Sequence, residues 1–161
     1  MIALALSSPA VTRRFGRSLA ALLRPPALVT LAGELGTGKT TLVRAALRAF
    51  GVRGVVASPS FTLAQSYTGR GGLRLHHLDL YRLHPGADVE LFAWEDYFGE
   101  AITFVEWPEA GAAELPPADL DIRLAHDARA SRRAEVRAAP AVERRLRVAL
   151  AAAGMAMEAR E

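Results

Sequence analysis

The sequence predicts a layered α/β domain whose sheet mixes parallel and antiparallel strands. Three observations point to it. The apolar run Ala27-Leu28-Val29-Thr30-Leu31-Ala32 is followed by a glycine-rich stretch and then by a helix-period segment, Thr41 to Phe50, ended by Gly51. Two pairs of alternating segments are each joined by a short polar or glycine turn, as antiparallel hairpins are. A further apolar run, Ala101-Ile102-Thr103-Phe104-Val105-Glu106, has the composition of a strand buried on both faces. At 161 residues and 17.3 kDa the chain fits one domain with a single core. That core is expected over about residues 1–138, with a closing helix over about 140–158.

Element by element, Ile2 to Leu6 reads as a first strand. Ser8-Pro9 opens a helix with Val11, Phe15, Leu19 and Leu22 on its apolar face and Arg13, Arg14 and Arg17 turned outward. Arg24-Pro25-Pro26 ends it. After the central strand and helix, Val55-Val56-Ala57 reads as a short strand, broken by Ser58-Pro59-Ser60. Phe61 to Tyr67 and Leu73 to Leu80 form the first hairpin across Gly69-Arg70-Gly71-Gly72. Pro85 to Phe98 reads as helical, with a break near Ala93. Asp119 to His126 and Arg132 to Ala138 form the second hairpin. Pro140 to Glu158 is an amphipathic helix using Val142, Leu146, Val148 and Leu150.

The glycine-rich stretch is Gly33-Glu34-Leu35-Gly36-Thr37-Gly38-Lys39-Thr40, which matches G-x-x-x-x-G-K-[ST], the phosphate-cradling P-loop. Strand, glycine loop and helix is the setting that this motif requires. Gly36 and Gly38 can adopt positive φ, so that successive N–H groups converge into an anion nest at the N-terminus of the following helix. Lys39 is the only lysine in the chain; every other basic side chain is arginine. A compact ammonium fits inside a phosphate loop where a planar guanidinium does not. Lys39 is therefore expected at the β- and γ-phosphates, and the Thr40 hydroxyl at Mg²⁺.

Composition excludes several classes. With no cysteine there is neither a disulfide nor a thiolate metal site. The net charge of +3 is modest, and no cluster of basic with aromatic residues stands out, so nucleic-acid contact is not inferred. The apolar start runs directly into Ser8-Pro9 and lacks a basic leader, unlike a signal peptide, and no apolar run has membrane-spanning length. The expected location is the cytoplasm.

A P-loop needs carboxylates at strand ends for magnesium and its waters. Asp79 follows Leu73 to Leu78, and Glu106 closes Ala101 to Val105; both fall where strands emerge at the ligand edge of an open α/β sheet. Asp88, Glu90, Glu95 and Asp96 read instead as a solvated helix face. Ser58-Pro59-Ser60-Phe61-Thr62 is a hydroxyl-rich loop, either a γ-phosphate switch or a proline-stiffened turn. His76 and His77 are strand neighbours pointing to opposite faces, so they cannot chelate one ion together. Arg132 and Arg133 could supply a cation to the triphosphate, and Trp107 could cover the site or pack. Asp96-Tyr97-Phe98-Gly99 matches D-x-x-G, but in a helix tail, where the match is accidental.

Taken in order and spacing, Gly33 to Thr41, Ser58 to Leu63, His77-Leu78-Asp79-Leu80-Tyr81-Arg82-Leu83, Asp96-Tyr97-Phe98 and Val105-Glu106-Trp107-Pro108 resemble the TsaE (YjeE) family. The likeness runs from about Val11 to Val136. It implies a P-loop NTPase-like three-layer sandwich with an unusually antiparallel sheet, a Mg-ATP site and weak ATP hydrolysis. It also implies work with the TsaB and TsaD proteins, and indirectly with tRNA, in threonylcarbamoylation of adenosine 37 in tRNAs reading codons that begin with A. Carried over by position, the resemblance puts Gly33, Leu35, Gly36, Thr37, Gly38, Lys39, Thr40 and Thr41 at ATP. Thr40 and Glu106 become Mg²⁺ ligands, Asp79 the acidic residue beside the γ-phosphate, and Thr62 the switch hydroxyl. Trp107 becomes the neighbouring aromatic, and Arg132 the arginine arriving from the second hairpin, with Arg133 one position away. Lys39, Asp79 and Glu106 then form the catalytic set. Three features depart from the family pattern: Ser58-Pro59-Ser60 stands where S-P-T is usual, Gln65 where an acidic residue is common, and Pro9 where some relatives carry a residue near the nucleotide, which leaves the adenine contacts open.

Other readings are a small-molecule kinase and a non-catalytic module for which ATP is a conformational ligand. A kinase would carry an arginine-rich lid and an acceptor pocket where this chain has a hairpin. A GTPase would need N-K-x-D, which a chain with no Asn cannot supply.

Overall fold

The computed structural model describes residues 1–59, 61–83, 93–127 and 131–158. Seven strands form one sheet: β1 (Ile2–Leu6), β2 (Ala27–Ala32), β3 (Ala64–Thr68), β4 (Arg74–Asp79), β5 (Ala101–Glu106), β6 (Leu120–His126) and β7 (Arg132–Ala138). Their spatial order is β1-β7-β6-β2-β5-β4-β3. The middle four, β6, β2, β5 and β4, are mutually parallel. Both hairpins turn back antiparallel, and β1 runs antiparallel to β7. The mixed sheet is the one expected from the sequence.

Three helices, α1 (Pro9–Leu22), α2 (Lys39–Ala49) and α3 (Pro140–Ala152), cover one face. Their apolar sides meet the inward residues of the strands in the main core, which includes Phe15, Leu19, Leu42, Leu47, Phe104, Ile122 and Leu146. α1 starts as predicted, with the Ser8 side chain accepting from the Val11 N–H at 3.3 Å and Pro9 in the first turn. Arg13, Arg14 and Arg17 point outward. On the opposite face Leu28, Leu78, Leu80, Leu83, Trp94 and Val105 form a smaller cluster, covered by short turns from Trp94 to Leu115. The alternation of Leu28 with Val29 and of Phe104 with Val105 between the clusters shows β2 and β5 buried on both sides.

The structure corrects several boundaries. Val55-Val56-Ala57 is not a strand but an irregular loop, with Val55 87% exposed. β-branched residues favour extended backbone, but here they make no ladder pairing with any strand. The first hairpin begins at Ala64 instead of Phe61, because Leu63 takes φ 60° and the Thr62 N–H turns back to the Pro59 carbonyl at 3.0 Å. Phe61 lies outside the core, under the Arg82 guanidinium. α3 stops at Ala152, where Gly154 at φ 65° turns the chain and the Met155 N–H bonds the Leu150 carbonyl. Val148 is exposed, so the helix buries Leu146 and Leu150 without it. The helix expected over Pro85 to Phe98 falls mostly outside the described residues. Its last part is a 3-10 turn, Trp94–Tyr97, and Glu95 and Asp96 lie on that turn's exposed side.

Candidate nucleotide-binding site

The site is assembled at the C-terminal edge of the four parallel strands. β2 delivers the chain to Gly33, whose φ is 133° and where an added Cβ would lie 2.0 Å from the Leu124 carbonyl oxygen. Only glycine fits between the loop and β6. Gly36 and Gly38 also take positive φ, and Gly38 caps α2 from the left-handed region. With no side-chain cap, the first N–H groups of α2 are left facing the loop. Thr37, fully buried, ties the loop internally by donating its hydroxyl to the Glu34 carbonyl at 2.8 Å.

Lys39 is 5% exposed. Its Nζ donates to the Gly33 and Glu34 carbonyls at 2.6 and 2.8 Å and lies 3.8 Å from the centroid of the Trp107 ring. Burial pushes its pKa below the ordinary 10.5, while the nearby carboxylates of Glu106, Asp79 and Glu109 pull it back up. The ammonium is thus folded onto its own loop, surrounded by negative charge.

The two strand-end carboxylates face one another, since Asp79 and Glu106 are register partners on β4 and β5. Thr40 Oγ1 donates to Glu106 Oε2 at 2.9 Å, and the fully buried His77 Nε2 lies 2.7 Å from Glu106 Oε1. Asp79 accepts from the Ser58 hydroxyl at 3.3 Å and from the Tyr81 N–H at 3.2 Å. Trp107, held at φ 57° with its N–H on the Leu31 carbonyl, tilts against Tyr81 with ring centroids 4.8 Å apart. Together Leu35, Gly36, Gly38, Lys39, Thr40, Thr41, Ser58, Asp79, Tyr81, Glu106 and Trp107 line a cleft of about 240 Å³.

A family model described as "Threonylcarbamoyl adenosine biosynthesis protein TsaE" matches residues 6–134. The chain belongs to the TsaE family. It is 39% identical to the tRNA threonylcarbamoyladenosine biosynthesis protein TsaE of Haemophilus influenzae over 117 residues, covering 69% of this chain and 73% of that protein. Against the TsaE protein of Streptomyces coelicolor the identity is 43% over 114 residues, covering 70% and 77%. The Bacillus subtilis TsaE protein gives 34% over 116 residues, covering 71% and 72%. The crystal structure of Bacillus subtilis YdiB superposes with a TM-score of 0.76 at 25% identity, over 94% of this chain and 97% of that one.

Most residues that the TsaE resemblance singled out converge here. Arg132, from the start of β7, donates to the Gly36 carbonyl at 3.4 Å, whereas Arg133 faces Glu158 at 2.8 Å. The pairing of β7 therefore sends Arg132, not its neighbour, to the loop. Thr62 is the exception: it is exposed and does not line the cleft, while Ser58 from the same loop does. Ser60 lies outside the described residues. His76 and His77 do point to opposite faces. His76 meets Ser66 and the edge of Tyr97, and no group of three His, Cys, Asp or Glu among the described residues is arranged to hold a metal. The site residues expected from the sequence do not include Tyr81, His126 or the His77–Glu106 contact. His126 Nε2 sits 3.1 Å from the Leu35 carbonyl, at the outer side of the loop. The spacing of two between His77 and Asp79 on one strand was the available signal, because it puts both on the face that carries Glu106.

Proposed function

We propose that this chain is a Mg-ATP-binding P-loop ATPase. It supports threonylcarbamoyl modification of adenosine 37 in tRNAs reading codons that begin with A, together with the TsaB and TsaD proteins in the cytoplasm. What carries the reading is the Thr40–Glu106 contact beside Lys39: a hydroxyl and a carboxylate side by side at the mouth of a main-chain nest. The family's place in tRNA threonylcarbamoyladenosine biosynthesis supplies the pathway.

The donors offered to a cation are all oxygen (Thr40, Glu106, and Asp79 facing them), the set that a hard, small divalent ion takes together with phosphate and water. Bound there, magnesium would neutralise charge developing on the phosphate oxygens. The chain's own residues do the rest. The nest and the start of α2 receive phosphate oxygens through N–H groups. Lys39 exchanges the Gly33 and Glu34 carbonyls for phosphate oxygens, turning an internal clasp into a ligand contact. Thr40, now bonded to Glu106 Oε2, would hold the cation through the same hydroxyl. Asp79 orients a water, and Ser58, bonded to Asp79, links the state of the cleft to the loop leading to Thr62. Arg132 and Trp107 flank the bound nucleotide.

Titration calorimetry with ATP in the presence of Mg²⁺ tests the reading. Binding that weakens in Lys39→Ala supports it, and absence of heat at millimolar ATP, with TsaB and TsaD present, overturns it. The coupling to partners is measured separately, as TsaB–TsaD affinity with ATP, with ADP and without nucleotide. Equal affinities would remove the switch.

A further inference from the structure

His77 is a buried polar ring whose one hydrogen bond is to Glu106, and its Nδ1 has no partner among the described residues. Buried polar groups cost free energy unless paired, so a ring kept half-paired needs a reason. Glu106 already accepts from Thr40 on Oε2, and an ionised carboxylate can only accept. His77 therefore supplies Nε2–H to Oε1, and its Nδ1 stands without a partner among the described residues. The two contacts divide the carboxylate. Oε1 is tied to β4 beneath the cleft, and Oε2 is turned toward Thr40 at the cleft wall.

We propose that His77 is a positioning residue that holds Glu106 by Oε1, so that the carboxylate offers a single oxygen to the cation. This rests on the Mg-ATP reading above. A carboxylate restricted to one oxygen suits Mg²⁺, which takes few protein ligands in near-octahedral geometry. A carboxylate free to rotate can grip with both oxygens, as Ca²⁺ sites do. Hydrogen-bond partners of metal ligands commonly orient them in this way. His77 thus acts on cation choice as well as on cation affinity.

The test is ATP binding by the full chain, followed calorimetrically over a range of Mg²⁺, over a range of Ca²⁺, and without divalent cation. His77→Leu should raise the Mg²⁺ needed for half-maximal binding roughly 10-fold or more. It should leave cation-free ATP binding unchanged and narrow the preference for Mg²⁺ over Ca²⁺. His77→Gln, whose amide N–H reaches about as far as Nε2–H, should restore most of the Mg²⁺ response. A folded His77→Leu protein with the wild-type Mg²⁺ dependence overturns the proposal while leaving the nucleotide reading intact. So does equal weakening with both cations, which is the mark of a merely structural role. Wild-type protein that binds no ATP overturns both. Long-range imidazole ¹H–¹⁵N spectra of the unaltered protein give a readout independent of any variant: an Nε2–H tautomer at His77 is expected, and an Nδ1–H tautomer overturns the assignment.

Discussion

The two walls of the cleft are built differently. The P-loop wall is fastened from within: Thr37 to Glu34, Lys39 to Gly33 and Glu34, and Arg132 and His126 to the loop's outer carbonyls. The facing wall, from Val55 through Phe61 and on to Tyr81, exposes apolar side chains, Phe61 being 83% exposed. It is linked to the cleft through Ser58 and Asp79. One wall is preset by its own bonds. The other exposes apolar surface, and under the proposed function it is the wall on which a change of ligand state registers.

Substitutions can break or sharpen that contrast. The largest effect is expected at Gly33→Ala, which forces a side chain to within 2.0 Å of the Leu124 oxygen at a φ suited to glycine. The cost should be roughly 3–5 kcal/mol of folding stability, measured by urea denaturation. Little change would mean that the preset wall yields more than its bonding implies. Next, Lys39→Ala should weaken ATP binding by roughly 1.5–3 kcal/mol in calorimetry. Smaller effects separate the hydroxyls of the second wall. Ser58→Ala should change ATP binding or the ATP-dependence of partner affinity by about 0.5–1.5 kcal/mol, and Thr62→Ala should change neither. The reverse order would restore Thr62 as the switch residue.

The mildest test lies outside both walls. The Met1 ammonium first, and Arg147 second, hold the Glu143 carboxyl down to about 2 from its ordinary 4.5. The stabilisation from these contacts is complete above 4.5 and is lost as pH falls from there toward 2. Glu143→Gln should flatten that acid limb of the stability curve, read by thermal melts against pH, and leave ATP affinity untouched.

What the sequence made legible was local or periodic. The loop from Gly33 to Thr40, the run Ala27 to Ala32 and the second hairpin carry their signals in neighbouring residues, and all appear as expected. Asp79 and Glu106 could be placed because each closes an apolar run, and parallel pairing of β4 with β5 then sets them side by side. Contacts that depend on which strands become neighbours were not legible. The spacing of two between His77 and Asp79 puts them on one face, but that Glu106, 29 positions away, meets His77 there depends on β4 pairing with β5. Arg132 and Arg133 could be told apart only once β7 had paired with both β1 and β6. Propensity misled at Val55-Val56-Ala57, where strand-forming residues pair with no strand, and at Val148, where an apolar residue sits on the wet side of a helix.

The turn at Gly154 has a consequence at the far border of the sheet. Past it, the chain returns beside β1, where the Glu158 N–H reaches the Ala3 carbonyl and the Glu158 carboxylate meets Arg133. A bare outer strand invites zippering with another molecule, and this returning segment stands in the way as a selvedge along the fabric. Trimming the chain at Gly154 should therefore show itself first as self-association in concentrated solution, ahead of any loss of nucleotide affinity.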